Sequence, residues 1–223
     1  MTFFRKLTAL FYPERCPYCG ALVEPCEIAC AHCYDEIRRK HVPITGGARG
    51  LRCVSTFVYD GKVRRMILLL KYHDRTQYVP QVAVLMADDI RAAYGDNAFD
   101  IITFVPMHKK DFHKRQYNQS QLLAKELSSL LEIPCRETLM KVKKTKKQHQ
   151  LKYAERKTNL NGAFALIDKE SVKGQRILII DDIVTSGYTL GNCGKTLNRG
   201  KPSLICCATI ASARNKYPEE TVI

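Results

Sequence analysis

No stretch of this chain is apolar for long enough to cross a membrane as a helix, which sets insertion into a bilayer aside. The first dozen residues also lack the extended apolar region and small-residue cleavage site of a secretory leader. Phe3, Phe4, Leu7, Leu10 and Phe11 instead fall at helical spacing. They predict an amphipathic helix packed on the neighbouring cysteine-rich module, and the expected location is the cytoplasm. Internal repeats are absent too. Acids are in short supply: 22 Asp+Glu face 36 Lys+Arg, a formal net charge of +14. Such an excess points to anionic partners, a polyphosphate substrate, nucleic acid or both. The plainer alternative is a basic, solubilising surface.

What is present begins with length. At 223 residues the chain accommodates one α/β domain plus a small accessory module. Ten cysteines are kept reduced in a cytosolic chain, so clustered pairs point to metal before disulfides. Cys16 and Cys19 form one CxxC knuckle and Cys30 and Cys33 a second, which together predict a tetrahedral four-sulfur zinc site. Four thiolates leave no open position, so the zinc is expected to be structural. Cys26 and His32 are spare ligands, either able to replace Cys30 in another register. A redox CxxC would open a helix within a thioredoxin-like sheet, and no such pattern surrounds these pairs. Cys53, Cys135, Cys193, Cys206 and Cys207 fall on expected strands or helices and read as core.

The pattern divides the chain into a cysteine-rich module over 1–42, a glycine-rich linker over 43–52 and a larger domain over 53–223. In the larger domain, strands are expected at 53–59, 100–105, 135–140, 163–167, 176–180 and 204–210. Helices are expected at 62–71, 79–94, 119–131 and 189–198. The alternation argues for a mostly parallel sheet flanked by helices. Residues 141–157 stand apart, with eight Lys+Arg against Glu155 and no apolar period. They read as a mobile loop over the sheet, as a solvated excursion, or as a track for a phosphate backbone with Tyr153 or His149 stacking on a base.

The chemistry concentrates in 176–190, RILIIDDIVTSGYTL. Residues 177–180 are an unbroken apolar run, as in a central parallel strand. Asp181 and Asp182 come next, at the expected strand end. Thr185, Ser186 and Gly187 lead through Tyr188 into a helix starting near Thr189, whose N-terminus suits an anion. Paired carboxylates suit two neighbouring hydroxyls or a magnesium shell. A ribose 5-phosphate satisfies both ends; the plainer reading is a capped strand–helix turn.

The segment resembles the phosphoribosyl-pyrophosphate signature of type I phosphoribosyltransferases. The whole chain resembles the ComF (ComFC-like) family, associated with bacterial competence and DNA uptake. The likeness runs through CPYCG at 16–20, FVYDGKVRRMILLLKY at 57–72, KRQYNQSQLLA at 114–124, TKKQHQ at 145–150 and RKTNLNGAF at 156–164. It also takes in spaced positions Gln148, Leu151, Arg156 and Asn159, which favour a site loop over an incidental charge run. The resemblance implies a type I phosphoribosyltransferase fold behind a small zinc-ribbon-like module. It implies that Asp181 and Asp182 hold the ribose 2- and 3-hydroxyls, that Thr185, Ser186, Gly187, Tyr188 and Thr189 hold the 5-phosphate, and that Lys109, Lys110 and Arg115 approach pyrophosphate. It implies magnesium as a cofactor. His108 stands where the family usually has proline and Gln116 where it has glycine, both on the pyrophosphate side. Transferases of 6-oxopurines carry an Asp where Thr185 stands, and a threonine is no general base near neutral pH, so a guanine or hypoxanthine acceptor is disfavoured. Two functions are compatible with this: a phosphoribosyltransferase with an unnamed acceptor, or a non-catalytic protein that senses phosphoribosyl pyrophosphate and handles single-stranded DNA. The latter draws on Lys143, Lys144, Lys146 and Lys147 and on other DNA-uptake proteins as partners.

Overall fold

A computed structural model describes residues 15–24, 27, 29–40, 44–73, 75–143 and 162–213. The helix expected over 1–12 lies outside the described residues. The central sheet has five strands in the order β1-β2-β7-β6-β3, where β1 is Ile44–Gly47, β2 Arg52–Val58, β3 Ile101–Phe104, β6 Arg176–Val184 and β7 Leu204–Ser212. Only β1 is antiparallel to its neighbour; β2, β7, β6 and β3 run parallel. A separate antiparallel pair is formed by β4, Leu139–Lys141, and β5, Phe164–Leu166. Of the strand expected over 135–140, only its end enters β4; Cys135 makes an isolated bridge to Ile102. Ile44–Gly47, inside the stretch expected to link two units, is thus itself the edge strand of the sheet.

Period-two alternation in the strands distributes the core to both faces. Leu178 and Ile180 of β6 join Val54, Phe104, Cys206 and Ala208 in the larger core. Ile177 and Ile179 join Cys53, Ile205 and Cys207 in the other. Three helices close the larger core: α2, Gly61–Tyr72, α3, Val79–Tyr94, and α5, Gln119–Leu131. In α2 the residues Val63, Met66, Ile67 and Leu70 are buried, and Asp60 caps its start by accepting from the Gly61 N–H at 2.7 Å. The opposite face carries α6, Tyr188–Leu197, with the β4–β5 pair.

Before the sheet, α1, Ala31–Lys40, begins within the second cysteine knuckle. The knuckle region and the sheet share one core: Cys16, Tyr18, Cys33 and Ile37 pack in the same cluster as Val54 and Phe57, and Tyr18 meets Phe57 edge to face at 6.3 Å. No helix among the described residues is long and apolar enough to cross a membrane.

Candidate functional site

Strand β6 stays extended beyond Ile180 through both acids to Val184, so Asp181 and Asp182 lie within the strand rather than past its end. Consecutive strand residues face opposite ways. Asp182 follows the parity of Leu178 and Ile180 toward α2 and α5. There Lys71, from the last turn of α2, places its Nζ 3.0 Å from Asp182 Oδ2. Gln119 Nε2 donates to the same oxygen at 2.6 Å. Asp181 accepts from Ser120 Oγ and from the Asp182 N–H, each at 2.9 Å and each at Oδ1. Asp181 is 9% and Asp182 4% exposed.

Burial, then the neighbouring Asp182 charge, pushes the Asp181 carboxyl up to about 7 against the pull of Lys71, the Asp182 N–H and Ser120. Burial alone would lower the Lys71 ammonium, but the Asp182 charge and hydrogen bond outweigh it and hold Lys71 above its ordinary value. Among the described residues, Asp181 Oδ2 and Asp182 Oδ1 have no hydrogen-bond donor. Two hard oxygen acceptors on adjacent residues are thus left over, the donor set that ribose hydroxyls or a magnesium shell require.

Three residues after Val184 the chain turns at Gly187, the N-cap of α6, with φ of 71°. A side chain would strain that left-handed conformation. Ser186 Oγ is buried and has no partner, a polar atom of the kind that a bound acceptor satisfies. Thr185 is exposed, Thr189 half-buried and Tyr188 buried. The helix begins at Tyr188, one residue before the sequence expectation.

On the expected pyrophosphate side, β3 ends before Val105 and Pro106, and a short helix α4, Lys109–Arg115, comes next. His108 caps it: its Nδ1 accepts from the Lys110 N–H at 3.2 Å. A proline ring could not do this. Lys109 and Lys110 are exposed in the first turn. Arg115 turns the other way, donating to Gln119 Oε1 at 2.6 Å with its guanidinium 5.2 Å from the Tyr72 ring centre. Arg115, Gln119 and Asp182 therefore form one hydrogen-bonded chain. Gln116 takes the left-handed conformation a glycine would adopt freely, with φ of 66°. The backbone geometry is kept, at the cost of strain.

Sequence reasoning missed Lys71, Gln119 and Ser120. A signal was present for Lys71: it continues the stripe Val63, Ile67, Lys71 at four-residue steps on the buried side of α2. A lysine in an apolar stripe demands a buried counterion. Asn118 supplied another, as an N-cap that accepts from the Ser120 N–H at 3.1 Å and donates to the Val105 carbonyl at 3.0 Å. It thereby ties the acid-binding helix to the loop after β3.

Cys16, Cys19, Cys30 and Cys33 come together with all four Sγ atoms within 4.8 Å of one another, and Cys19 and Cys30 are 3.6 Å apart. Zn–S bonds of about 2.3 Å in a tetrahedron separate sulfurs by about 3.8 Å, so the cluster fits zinc. In the first knuckle Gly20 N–H donates to the Cys16 carbonyl at 2.9 Å, and Ala21 N–H approaches Cys19 Sγ at 3.5 Å. That N–H is the main influence holding the Cys19 thiol down at about 7. Lys62, at the start of α2, donates to Cys33 Sγ at 3.4 Å and pairs with Glu36. His32 is outside the cluster, its side chain 82% exposed and near Glu36; Cys26 lies outside the described residues. Cys53, Cys193, Cys206 and Cys207 are buried as expected, and Cys135 is half-buried.

Of the basic segment, residues 144–157 lie outside the described residues, and with them Lys144, Lys146 and Lys147. Lys143 is exposed just after β4.

Residues 118–222 match a family model described as a phosphoribosyl transferase domain. The DNA utilization protein YhgH of Escherichia coli O6:H1 is 30% identical over 190 residues, spanning 82% of this chain and 78% of that protein. Competence protein F of Haemophilus influenzae is 27% identical over 189 residues, 82% and 79% of the two chains. Competence protein ComFC of Bacillus subtilis is 24% identical over 196 residues, 87% and 76%. Among solved structures, a purine phosphoribosyltransferase from Pyrococcus horikoshii has a TM-score of 0.38 at 18% identity, covering 61% of this chain and 74% of that one. With an apolar parallel strand delivering adjacent acids to a glycine-turned loop, and relatives that span most of its length, this chain belongs to the ComF-like family of type I phosphoribosyltransferases.

Proposed function

We propose that the protein binds phosphoribosyl pyrophosphate with magnesium and transfers the phosphoribosyl group to an acceptor, in the cytoplasm, in a process linked to DNA uptake. One observation carries the reading. Near its carboxyl end strand β6 carries two buried acids with unused oxygens, and the turn that follows the strand buries a serine hydroxyl without a partner. Asp181 and Asp182 accept from the ribose hydroxyls. Ser186 Oγ and the N-terminus of α6 receive the 5-phosphate, and Lys109 and Lys110 meet the pyrophosphate. Lys71, Gln119 and Ser120 hold the two carboxylates in place. Bound magnesium, which the free oxygens of Asp181 and Asp182 would help to hold, would neutralise charge on the departing pyrophosphate. The reaction is displacement at the anomeric carbon: the bond to pyrophosphate breaks as the acceptor bond forms, and the cationic lysines favour the leaving charge. The cysteine cluster holds a structural zinc. Calorimetric titration with phosphoribosyl pyrophosphate and magnesium, then an acceptor screen for released pyrophosphate, tests the reading. No heat of binding would overturn it.

A second reading keeps ligand binding but not transfer: a protein that senses phosphoribosyl pyrophosphate and binds single-stranded DNA. The net charge of +14 favours it, with five lysines between 141 and 147. Binding without turnover across the acceptor screen would select it.

A further inference from the structure

The turn between β1 and β2 reaches the anion loop. Ala48 N–H and Leu51 carbonyl close it at 2.6 Å, and Arg49 and Gly50 have φ of 55° and 87°. Positive φ at both central residues is the requirement of a type I′ turn, where asparagine and glycine are the ordinary choices. An arginine in the left-handed region is strained, because its Cβ crowds the following carbonyl oxygen. Turn geometry therefore does not account for Arg49. Its surroundings do. Arg49 Nε donates to the Ser186 carbonyl at 3.3 Å, and its guanidinium carbon lies 3.8 Å from the centre of the Tyr188 ring. Both partners belong to loop 185–189. The helix behind that loop is hollowed to admit the turn. A Cβ on Gly191 would stand 2.7 Å from Arg49 Cβ, and one on Gly194 would stand 2.6 Å from Leu51 Cδ1.

We propose that Arg49 is a positioning residue for the phosphate-binding loop, supplied by the N-terminal hairpin. It rests on the reading of 185–189 as that loop. The mechanism is local. Peptide bonds here are trans, so the Ser186 carbonyl and the Gly187 N–H point in opposite directions. By holding the carbonyl, Arg49 fixes the direction of that N–H at the start of α6. By stacking on Tyr188 it fixes the next residue and brings a permanent positive charge to the loop. A loop already in its binding conformation loses less freedom when phosphate arrives.

The test compares the full-length protein with Arg49→Asn and Gly191→Ala, by calorimetry with ribose 5-phosphate, inorganic pyrophosphate and phosphoribosyl pyrophosphate, and by urea unfolding. Asparagine suits the turn, so Arg49→Asn keeps or raises the unfolding midpoint. Its ribose 5-phosphate affinity falls at least about tenfold and its pyrophosphate affinity changes by less than about twofold. Gly191→Ala reproduces the loss by displacing the turn, although alanine is the better helix former. Unchanged ribose 5-phosphate affinity in Arg49→Asn, or an equal loss for pyrophosphate, overturns the positioning role and leaves the proposed function standing. Wild-type binding of ribose 5-phosphate without phosphoribosyl pyrophosphate overturns the proposed function and leaves Arg49 its role. If the wild type binds neither ribose 5-phosphate nor phosphoribosyl pyrophosphate, both readings fall; if it binds only the latter, the Arg49→Asn comparison is read from phosphoribosyl pyrophosphate in the same way.

Discussion

Lys71 and Asp182 are joined by a 3.0 Å ion pair between the last turn of one helix and the carboxyl end of the central strand. The lysine is a resident counterion at an acid pair that a sugar and a divalent cation are proposed to occupy. Removing it leaves Asp182 in a largely buried place with Gln119 as its remaining donor. Lys71→Met should therefore lower stability by about 2 kcal/mol, below the range for a fully buried pair because Lys71 is partly exposed. Lys71→Met combined with Asp182→Asn should recover part of that loss, since the unpaired charge is gone. Urea unfolding of the two single variants and the double variant measures the coupling. Strict additivity would show that the pair contributes nothing.

Asp181 makes affinity and stability respond to pH in opposite directions. Its carboxyl is raised to about 7 by burial and by Asp182, against a value near 3.8 in the unfolded chain. Between those limits the native state holds a proton that the unfolded state has lost, so the contribution of Asp181 to stability falls as pH rises through the window. Ribose hydroxyls, by contrast, are accepted best by the ionised form. Phosphoribosyl pyrophosphate affinity should rise from about pH 6 to about pH 8. Asp181→Asn with Asp182→Asn should abolish binding while leaving the domain folded. Affinity that ignores pH in this range, or survives in the double variant, would count against the role of the pair.

Gln116 closes α4 at a φ of 66°, where a side chain meets its own backbone. Gln116→Gly should relieve about 1 kcal/mol, offset in part by the lost hydrogen bond from Gln116 Nε2 to the His113 carbonyl. The expected result is a melting temperature a few degrees higher. A lower one would mean that the side-chain contact outweighs the strain.

Periodicity made much of this fold legible. α3 and α5 have the bounds their apolar spacing predicts, and β6 announces itself by four consecutive apolar residues. α4 was not legible because it buries no side chain, so it has no apolar period to read. β1 is four residues at a sheet edge, two of them glycines, with no alternation. Asp181 and Asp182 stand out as candidates because strand, acids and glycine turn are contiguous in the sequence. Lys71, Ser120 and Arg49 reach the same place from distant segments, and only the three-dimensional fold shows which charges and donors meet.

The cysteine cluster should hold about one zinc per chain, found by metal analysis of protein purified without a metal-affinity step. Cys16 and Cys33 pack in one core with Val54 and Phe57. Cys16→Ser should thus release the knuckle region and lower the melting temperature of the whole chain, while far-ultraviolet circular dichroism shows the parallel sheet retained. Absence of zinc, with four freely titratable thiols in the native protein, would remove the metal from the account.

Nucleic acid gives the sharpest contrast between roles for the basic segment. Weak, sequence-tolerant binding to single-stranded DNA is expected, centred on 141–157 with help from Lys109, Lys110 and Lys114. The clustering matters more than the total: five lysines fall between 141 and 147. If they neutralise phosphates, log affinity should fall against log salt with a slope of about −0.7 per phosphate contacted. Replacing Lys143, Lys144, Lys146 and Lys147 with Gln should flatten that slope. The same variant should keep most of its phosphoribosyl pyrophosphate affinity if, as proposed, the ribose and 5-phosphate are held by Asp181, Asp182 and loop 185–189. A segment that instead closes over pyrophosphate predicts the reverse ranking: a large loss for the small ligand and little change with DNA. Both affinities measured on that one quadruple variant decide between the two roles, and DNA binding indifferent to salt would exclude the electrostatic one.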